Sequence, residues 1–121
     1  MTKTAFLFAG QGAQYLGMAR DLYEQSDVVK ATFEEASQVL GYDVRALIDQ
    51  DEEKLNQTRY TQPAILTTSL AIYRLLAEKG IHPDIVAGLS LGEYSALVAA
   101  GALDFKTAVA LVAKRGAFME E

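Results

Sequence analysis

The sequence predicts an α/β fold in which a short parallel sheet is flanked by helices, and three observations carry that reading. Two short apolar runs, at residues 4–8 and from Ile85 onward, read as strands. The long stretch between them has helical periodicity, and strands joined by such a crossover pair in parallel. The second run then passes through Gly88-Leu89-Ser90-Leu91-Gly92 into Glu93-Tyr94-Ser95-Ala96-Leu97-Val98, which is strand, tight turn and helix.

Each element has its own signal. Residues 4–8 are apolar, rich in aromatics and stopped by Gly10, as expected of a short buried strand. The glycine-rich loop Ala9-Gly10-Gln11-Gly12-Ala13-Gln14 leads into helical patterning over residues 17–25. In residues 28–40, Val28, Val29, Thr32, Phe33, Ala36, Val39 and Leu40 recur at helical spacing, with Gly41 as the stop. Residues 49–56 are polar and charged, which reads as a solvated turn or short helix without chemistry. From Gln62-Pro63 to Lys79-Gly80 the residues Ile65, Leu66, Leu70, Ile72, Tyr73, Leu75 and Leu76 are apolar on most sides, so this helix belongs in the middle of the fold. Ile81-His82-Pro83-Asp84 is the turn into the second strand, and Asp104 caps a last helix running to Met119. No internal repeat, low-complexity segment or linker is visible.

Composition narrows the function classes. The 121 residues are 50% hydrophobic, which is one domain's worth of chain with enough apolar surface for a core. A net charge of -5 argues against a nucleic-acid partner. With no cysteine there is no disulfide framework, thiol nucleophile or thiolate metal site, and a reducing cytoplasm fits. The start is too short an apolar stretch for a signal peptide, and no run of about 18 apolar residues spans a bilayer. The expectation is a soluble, cytoplasmic chain with no metal, cofactor or membrane partner.

The Gly-x-Ser-x-Gly turn carries the chemistry. Its glycines let the backbone reverse sharply, so the Ser90 hydroxyl projects at a nucleophile elbow. The following helix aims free N–H groups and its positive dipole end at the same spot, which suits a forming oxyanion. The pattern points to acyl chemistry through a serine ester. The alternative is a capping box, because Ser90-x-x-Glu93 also precedes an apolar run. The first glycine loop is a poor nucleotide site, since Tyr15 stands where a dinucleotide fingerprint wants Gly or Ala. At the carboxyl end of a neighbouring parallel strand it would instead lie beside Ser90, where Gln11 can offer its own or a neighbouring N–H; otherwise it is a turn whose glutamine faces water.

Arg115 is the second anomaly. On a helix over residues 104–119, Ala108, Leu111, Val112 and Met119 form one stripe with Arg115 near its middle. An inward guanidinium needs an anion and suits bidentate capture of a carboxylate. The alternatives are an internal salt bridge or a side chain that snorkels out at the helix end.

Four segments, in order, resemble the malonyl-CoA:acyl carrier protein transacylases of fatty acid synthesis and the related acyltransferase domains of polyketide synthases. Phe8-Ala9-Gly10-Gln11-Gly12-Ala13-Gln14 is similar to the family's Phe-Pro-Gly-Gln-Gly-Ser-Gln loop, and Thr61-Gln62-Pro63-Ala64 to its Thr-Gln-Pro segment. Gly88-Leu89-Ser90-Leu91-Gly92-Glu93 resembles its Gly-His-Ser-x-Gly-Glu elbow, with Leu89 in place of histidine, and Lys114-Arg115-Gly116-Ala117-Phe118-Met119 its Arg-Gly-x-x-Met segment. The resemblance implies a hydrolase-like core, Ser90 as nucleophile, Gln11 and Leu91 at the oxyanion hole, and Arg115 with Gln62 on the malonyl side. It implies malonyl-CoA and acyl carrier protein as partners and no cofactor. It further implies that residues 1–121 are the amino-terminal part of the acyltransferase core, without the ferredoxin-like subdomain, the carboxyl-terminal part and the catalytic histidine. The only histidine here, His82, sits before Pro83 in an extended turn at the far end of the second strand. A chain ending at Glu121 is therefore expected to be catalytically crippled and prone to self-association through incompletely covered apolar surface.

Overall fold

Two four-residue strands, β1 (Ala5–Phe8) and β2 (Ile85–Gly88), pair in parallel with Ala5 opposite Ile85 and Phe8 opposite Gly88. They belong to a computed structural model that describes residues 3–120. The crossover between them is built of α1 (Arg20–Gln25), α2 (Asp27–Leu40), α3 (Val44–Gln50), α4 (Glu52–Leu55) and α5 (Thr58–Glu78). After β2 come α6 (Leu91–Ala99) and α7 (Phe105–Met119). The α/β class and the parallel pairing are those expected. Among the described residues no helix is long and apolar enough to cross a membrane.

Local chemistry sets most boundaries. Ser26 caps α2 by accepting from the Val29 N–H, and Gly41, at φ 82°, closes it by returning its N–H to the Ser37 carbonyl. Asp104 caps α7 through the Thr107 N–H. The first helix is shorter than its patterning, starting at Arg20 after a series of turns. Helix α5 starts ahead of Pro63, at Thr58, where the Gln57 carbonyl accepts from the Tyr60 and Thr61 N–H groups at 2.9 and 2.8 Å. The proline thus lies inside the helix, where it has no N–H to give to the preceding turn.

The core sits between helices rather than on the sheet. Every residue from Thr61 to Thr68 is buried, as a central helix requires, against Phe33 of α2 and Phe105, Val109 and Val112 of α7 among others. Strand β1 is not the buried element expected, and β2 is exposed on the same face. Phe6 and Phe8 face Tyr73 of α5 with ring centres 6.1 and 6.4 Å apart, but Leu7 is 82% exposed and Ile85 59% on the opposite face. Strand alternation puts those side chains on a face that the described residues do not cover.

Residues 49–56 hold the expected short helix, α4, and are mostly exposed, but both ends of the segment are tied down. The Asp49 carboxylate is nearly buried on α3, where it takes Arg45 Nε at 3.0 Å and Nη2 at 2.6 Å and also pairs with Arg20. Arg45 lies against the Tyr23 and Phe33 rings, 5.5 and 5.0 Å from their centres, so this pair locks α3 to α1 and α2. Leu55 is fully buried. The i,i+4 ion pair and the buried Leu55 thus anchor the two ends of an otherwise exposed segment.

Burial pushes the Tyr42 phenol up to about 12, beside the Tyr60 ring at 5.5 Å. A pKa raised on folding stabilises the protein below the ordinary value of 10.0 and loses that stabilisation as pH rises towards 12. The expected outcome is a falling urea midpoint over that window, made shallower by Tyr42→Phe. Equal alkaline slopes in both proteins would show that Tyr42 is ionising freely.

Candidate active site at the strand-to-helix turn

Ser90 adopts φ 56° and ψ −114°, one of two non-glycine residues with positive φ among those described. Such a conformation costs about 1–3 kcal/mol and persists only where its surroundings impose it. Here they do so by contact of backbone on backbone. A Cβ on Gly88 would lie 2.1 Å from the Gly92 carbonyl oxygen, and one on Gly92 would lie 2.4 Å from that of Phe8. The two glycines therefore allow the turn to fold against itself and against the end of β1. The capping-box alternative is not realised, because the Ser90 side chain takes no N–H of α6.

Because β1 and β2 run in parallel and in register, the loops that leave them emerge at one sheet edge. The Gly10 Cα faces the Leu89 carbonyl oxygen, with 3.4 Å left for a Cβ. The Gln11 side chain turns towards α5, its Nε2 donating to Thr58 Oγ1 at 2.9 Å. Gln14 ties the same loop down by donating to Asn56 Oδ1 at 3.0 Å while accepting from the Gly12 N–H at 2.8 Å. Among the described residues, the main-chain N–H groups of Gln11 and Leu91 have no acceptor.

Arg115 reaches the turn from α7. Its Nη2 donates to Ser90 Oγ at 2.9 Å, its Nη1 donates to Gln62 Oε1 at 2.8 Å, and its guanidinium carbon is 5.7 Å from the Tyr94 ring centre. The buried stripe of α7 is Phe105, Ala108, Val109, Val112 and Gly116. Leu111 and Met119 are 43% and 56% exposed, so Arg115 stands at the edge of the stripe, half-buried, and not at its middle. Its neighbours are neutral. Among the described residues it forms no ion pair, so the expected alternative of an internal salt bridge is absent. Gln62 is fully buried, and its Nε2 donates to Met119 Sδ at 3.2 Å.

Gly116 explains how the guanidinium arrives there. A Cβ at this position would lie 2.6 Å from the Thr58 carbonyl oxygen and 2.8 Å from Arg59 Cα. Helix α7 thus rests directly on the first turn of α5, one residue after Arg115 and four before Gln62 respectively. Arg59 strengthens the junction by donating from its backbone N–H and Nε to the Glu120 carboxylate, which lowers the Glu120 pKa.

Ser90, Gln11, Leu91, Arg115 and Gln62 are therefore gathered around one turn, with the Gln11 side chain bonded to Thr58. His82 is exposed in the loop entering β2, at the strand end opposite Ser90. The sequence assigns no place in the site to Thr58, Asn56 or Tyr94, and reads Met119 as core and as part of a motif rather than as the partner of Gln62. Thr58 and Met119 each lie one helical turn from a predicted residue, Gln62 and Arg115, and that spacing was the available signal. No group of three or more His, Asp or Glu among the described residues is arranged to hold a metal.

At the strand-to-helix turn the structure thus brings together a strained serine, an arginine on its hydroxyl and a glycine loop beside it. The chain belongs to the acyl transferase domain family, which it matches over residues 5–121. It is 55% identical to the malonyl CoA-acyl carrier protein transacylase of Bacillus subtilis (strain 168), over 100% of this chain and 38% of that protein. Among solved structures it resembles MCAT from Streptococcus pneumoniae with TM-score 0.96 and 79% identity, covering 98% of this chain and 39% of that one. It also resembles a malonyl-transacylase solved in complex with a type II PKS acyl-carrier protein, with TM-score 0.95 and 55% identity over 98% of this chain and 39% of that one. The chain thus spans about two fifths of the length of these relatives.

Gly116→Ala should destabilise the protein by about 1–3 kcal/mol, because the new methyl must push α7 off α5. Urea denaturation measures the loss; an unchanged midpoint would show that the two helices are not in this contact.

Proposed function

We propose that Ser90 is the nucleophile of a malonyl-CoA:acyl carrier protein transacylase, seated on a nucleophile elbow in the amino-terminal part of its acyltransferase core. The observation that carries the reading is the guanidinium of Arg115, hydrogen-bonded to Ser90 Oγ and lacking a carboxylate among the described residues. An acyl group that brings its own carboxylate completes that ion pair, with Gln62 holding the other edge of the fork. A hydrolase of neutral esters has no use for a cation at this point.

Ser90 Oγ gives up its proton and attacks the thioester carbonyl of malonyl-CoA, forming the C–O bond as the carbonyl oxygen takes the charge. The unengaged N–H groups of Gln11 and Leu91 are the donors for that oxyanion. Collapse expels the coenzyme A thiolate, which takes up a proton, and leaves a malonyl ester on Ser90. The phosphopantetheine thiol of acyl carrier protein then reverses the sequence, leaving Ser90 free and malonyl on the carrier. No cofactor is required beyond the acyl donor. The base that receives the Ser90 proton comes from outside these residues, since His82 faces the wrong end of β2, and general-base assistance is worth roughly 10² to 10⁴ in rate. The relatives named as malonyl transacylases, and the one solved with a carrier protein, support substrate and partner alike. We place the activity in the cytoplasm, and the uncovered face around Leu7 and Ile85 is the surface through which a chain ending at Glu121 would self-associate.

Incubating malonyl-CoA with the protein, expressed to its own stop codon, should yield a malonyl ester by intact-mass measurement that Ser90→Ala abolishes. An adduct that persists in Ser90→Ala would place the nucleophile elsewhere. Arg115→Ala should lower malonyl transfer by about 10²-fold, the loss of a charge-assisted pair, and acetyl transfer by less than about tenfold. Equal losses for the two acyl groups would remove Arg115 from substrate selection.

A further inference from the structure

On the acyl-transfer reading of Ser90, we propose that Thr58 is a positioning residue: it captures the Gln11 side chain so that the Gln11 main-chain N–H is left to the oxyanion. Glutamine on an exposed glycine loop has two uses, since its side-chain amide and its backbone both carry donors. The amide also carries an acceptor, Oε1, which repels an oxyanion and competes for its donors. Rotamer freedom on such a loop would let either group face the site.

The observed contacts decide between them. Thr58 Oγ1 accepts from Gln11 Nε2 at 2.9 Å, which commits the amide to α5. Gln14 spends the Gly12 N–H on its own Oε1 at 2.8 Å, and the Ala13 N–H goes to the Gly10 carbonyl at 3.3 Å. Of the N–H groups at Gln11, Gly12 and Ala13, only that of Gln11 remains. The second tie, Gln14 Nε2 to Asn56 Oδ1 at 3.0 Å, fastens the loop to the same α4–α5 junction and stops it from rotating about the first.

Thr58 is well placed to act as a fixed post. Its carbonyl oxygen is the atom that Gly116 approaches, so the residue is gripped between α5 and α7. Its side chain therefore registers the oxyanion donor against the helix that carries Arg115. The same residue touches the loop with its hydroxyl and the arginine helix with its backbone, and the site's two halves keep one spacing.

The test compares Thr58→Val, Thr58→Ser and Gln11→Met in the protein expressed to its own stop codon, using malonyl-CoA and acetyl-CoA with a phosphopantetheine thiol. Thr58→Val should lower kcat about tenfold for both acyl groups and leave KM within about twofold, because the lost interaction acts on the transition state. Thr58→Ser keeps the acceptor and should restore kcat. Gln11→Met keeps the main-chain N–H but loses the amide; it should match Thr58→Val, and the double variant should be no worse than either single one. If Thr58→Val does not fold by thermal melting, the Gln11→Met variant carries the same expectation alone. Wild-type kcat in Thr58→Val or Gln11→Met overturns the proposal, as does a loss confined to malonyl or losses that multiply in the double variant. A wild-type protein that transfers no malonyl overturns the acyl-transfer reading, and this proposal with it.

Discussion

The site depends on one constraint: at three places a backbone must touch a backbone with no side chain between. Gly88 meets Gly92, Gly92 meets the Phe8 carbonyl, and Gly116 meets Thr58. The first two fold the Ser90 turn against the end of β1, and the third lays α7 on α5. Each clearance, between 2.1 and 2.6 Å for an added Cβ, is too small for any side chain. The glycine in the first turn of α6 carries a helix-propensity cost of about 1 kcal/mol. Close packing offsets that cost and holds Ser90 in a conformation it would not choose.

Two arginines in this protein show opposite treatments of a cation taken out of water. Arg45 is 5% exposed and has a carboxylate in bidentate contact, two aromatic rings and the Met18 carbonyl at 2.8 Å. Its charge is settled within the fold. Arg115 also lies against an aromatic ring, but its partners are a hydroxyl and an amide oxygen. Dipoles orient a guanidinium without neutralising it. The contrast separates a cation that ties helices together from one whose charge is left available at a turn.

Legibility from sequence followed the range of the interaction. The Gly41 stop and the Asp104 cap are decided within a few residues and could be read from those residues alone. The turn at Ser90 was readable because both glycines lie within two positions of it. The central position of α5 was legible from its apolar run, but its start was not, because the helix begins ahead of Pro63 among polar residues that carry no apolar period. Strand β1 read as buried since an apolar run does not say how many faces are covered. Leu111 and Met119 looked like core for the same reason, which put Arg115 in the wrong part of its helix. The grip of Thr58 on Gln11 joins residues 47 positions apart, and no periodicity encodes it.

The two strands close a long loop. Asp84 accepts from the Thr4 N–H at 2.7 Å and returns its own N–H to the Thr4 carbonyl at 2.7 Å, a clasp between residues 80 positions apart. Closing so long a loop is entropically unfavourable until neighbouring contacts repay it. The serine turn acquires its neighbour, the end of β1, only when this pairing is made. An unfinished chain therefore holds the serine without the surroundings that shape its backbone. The backbone shape of the Ser90 turn is tied to a long-range contact, and it arrives with topology rather than with synthesis of the residue.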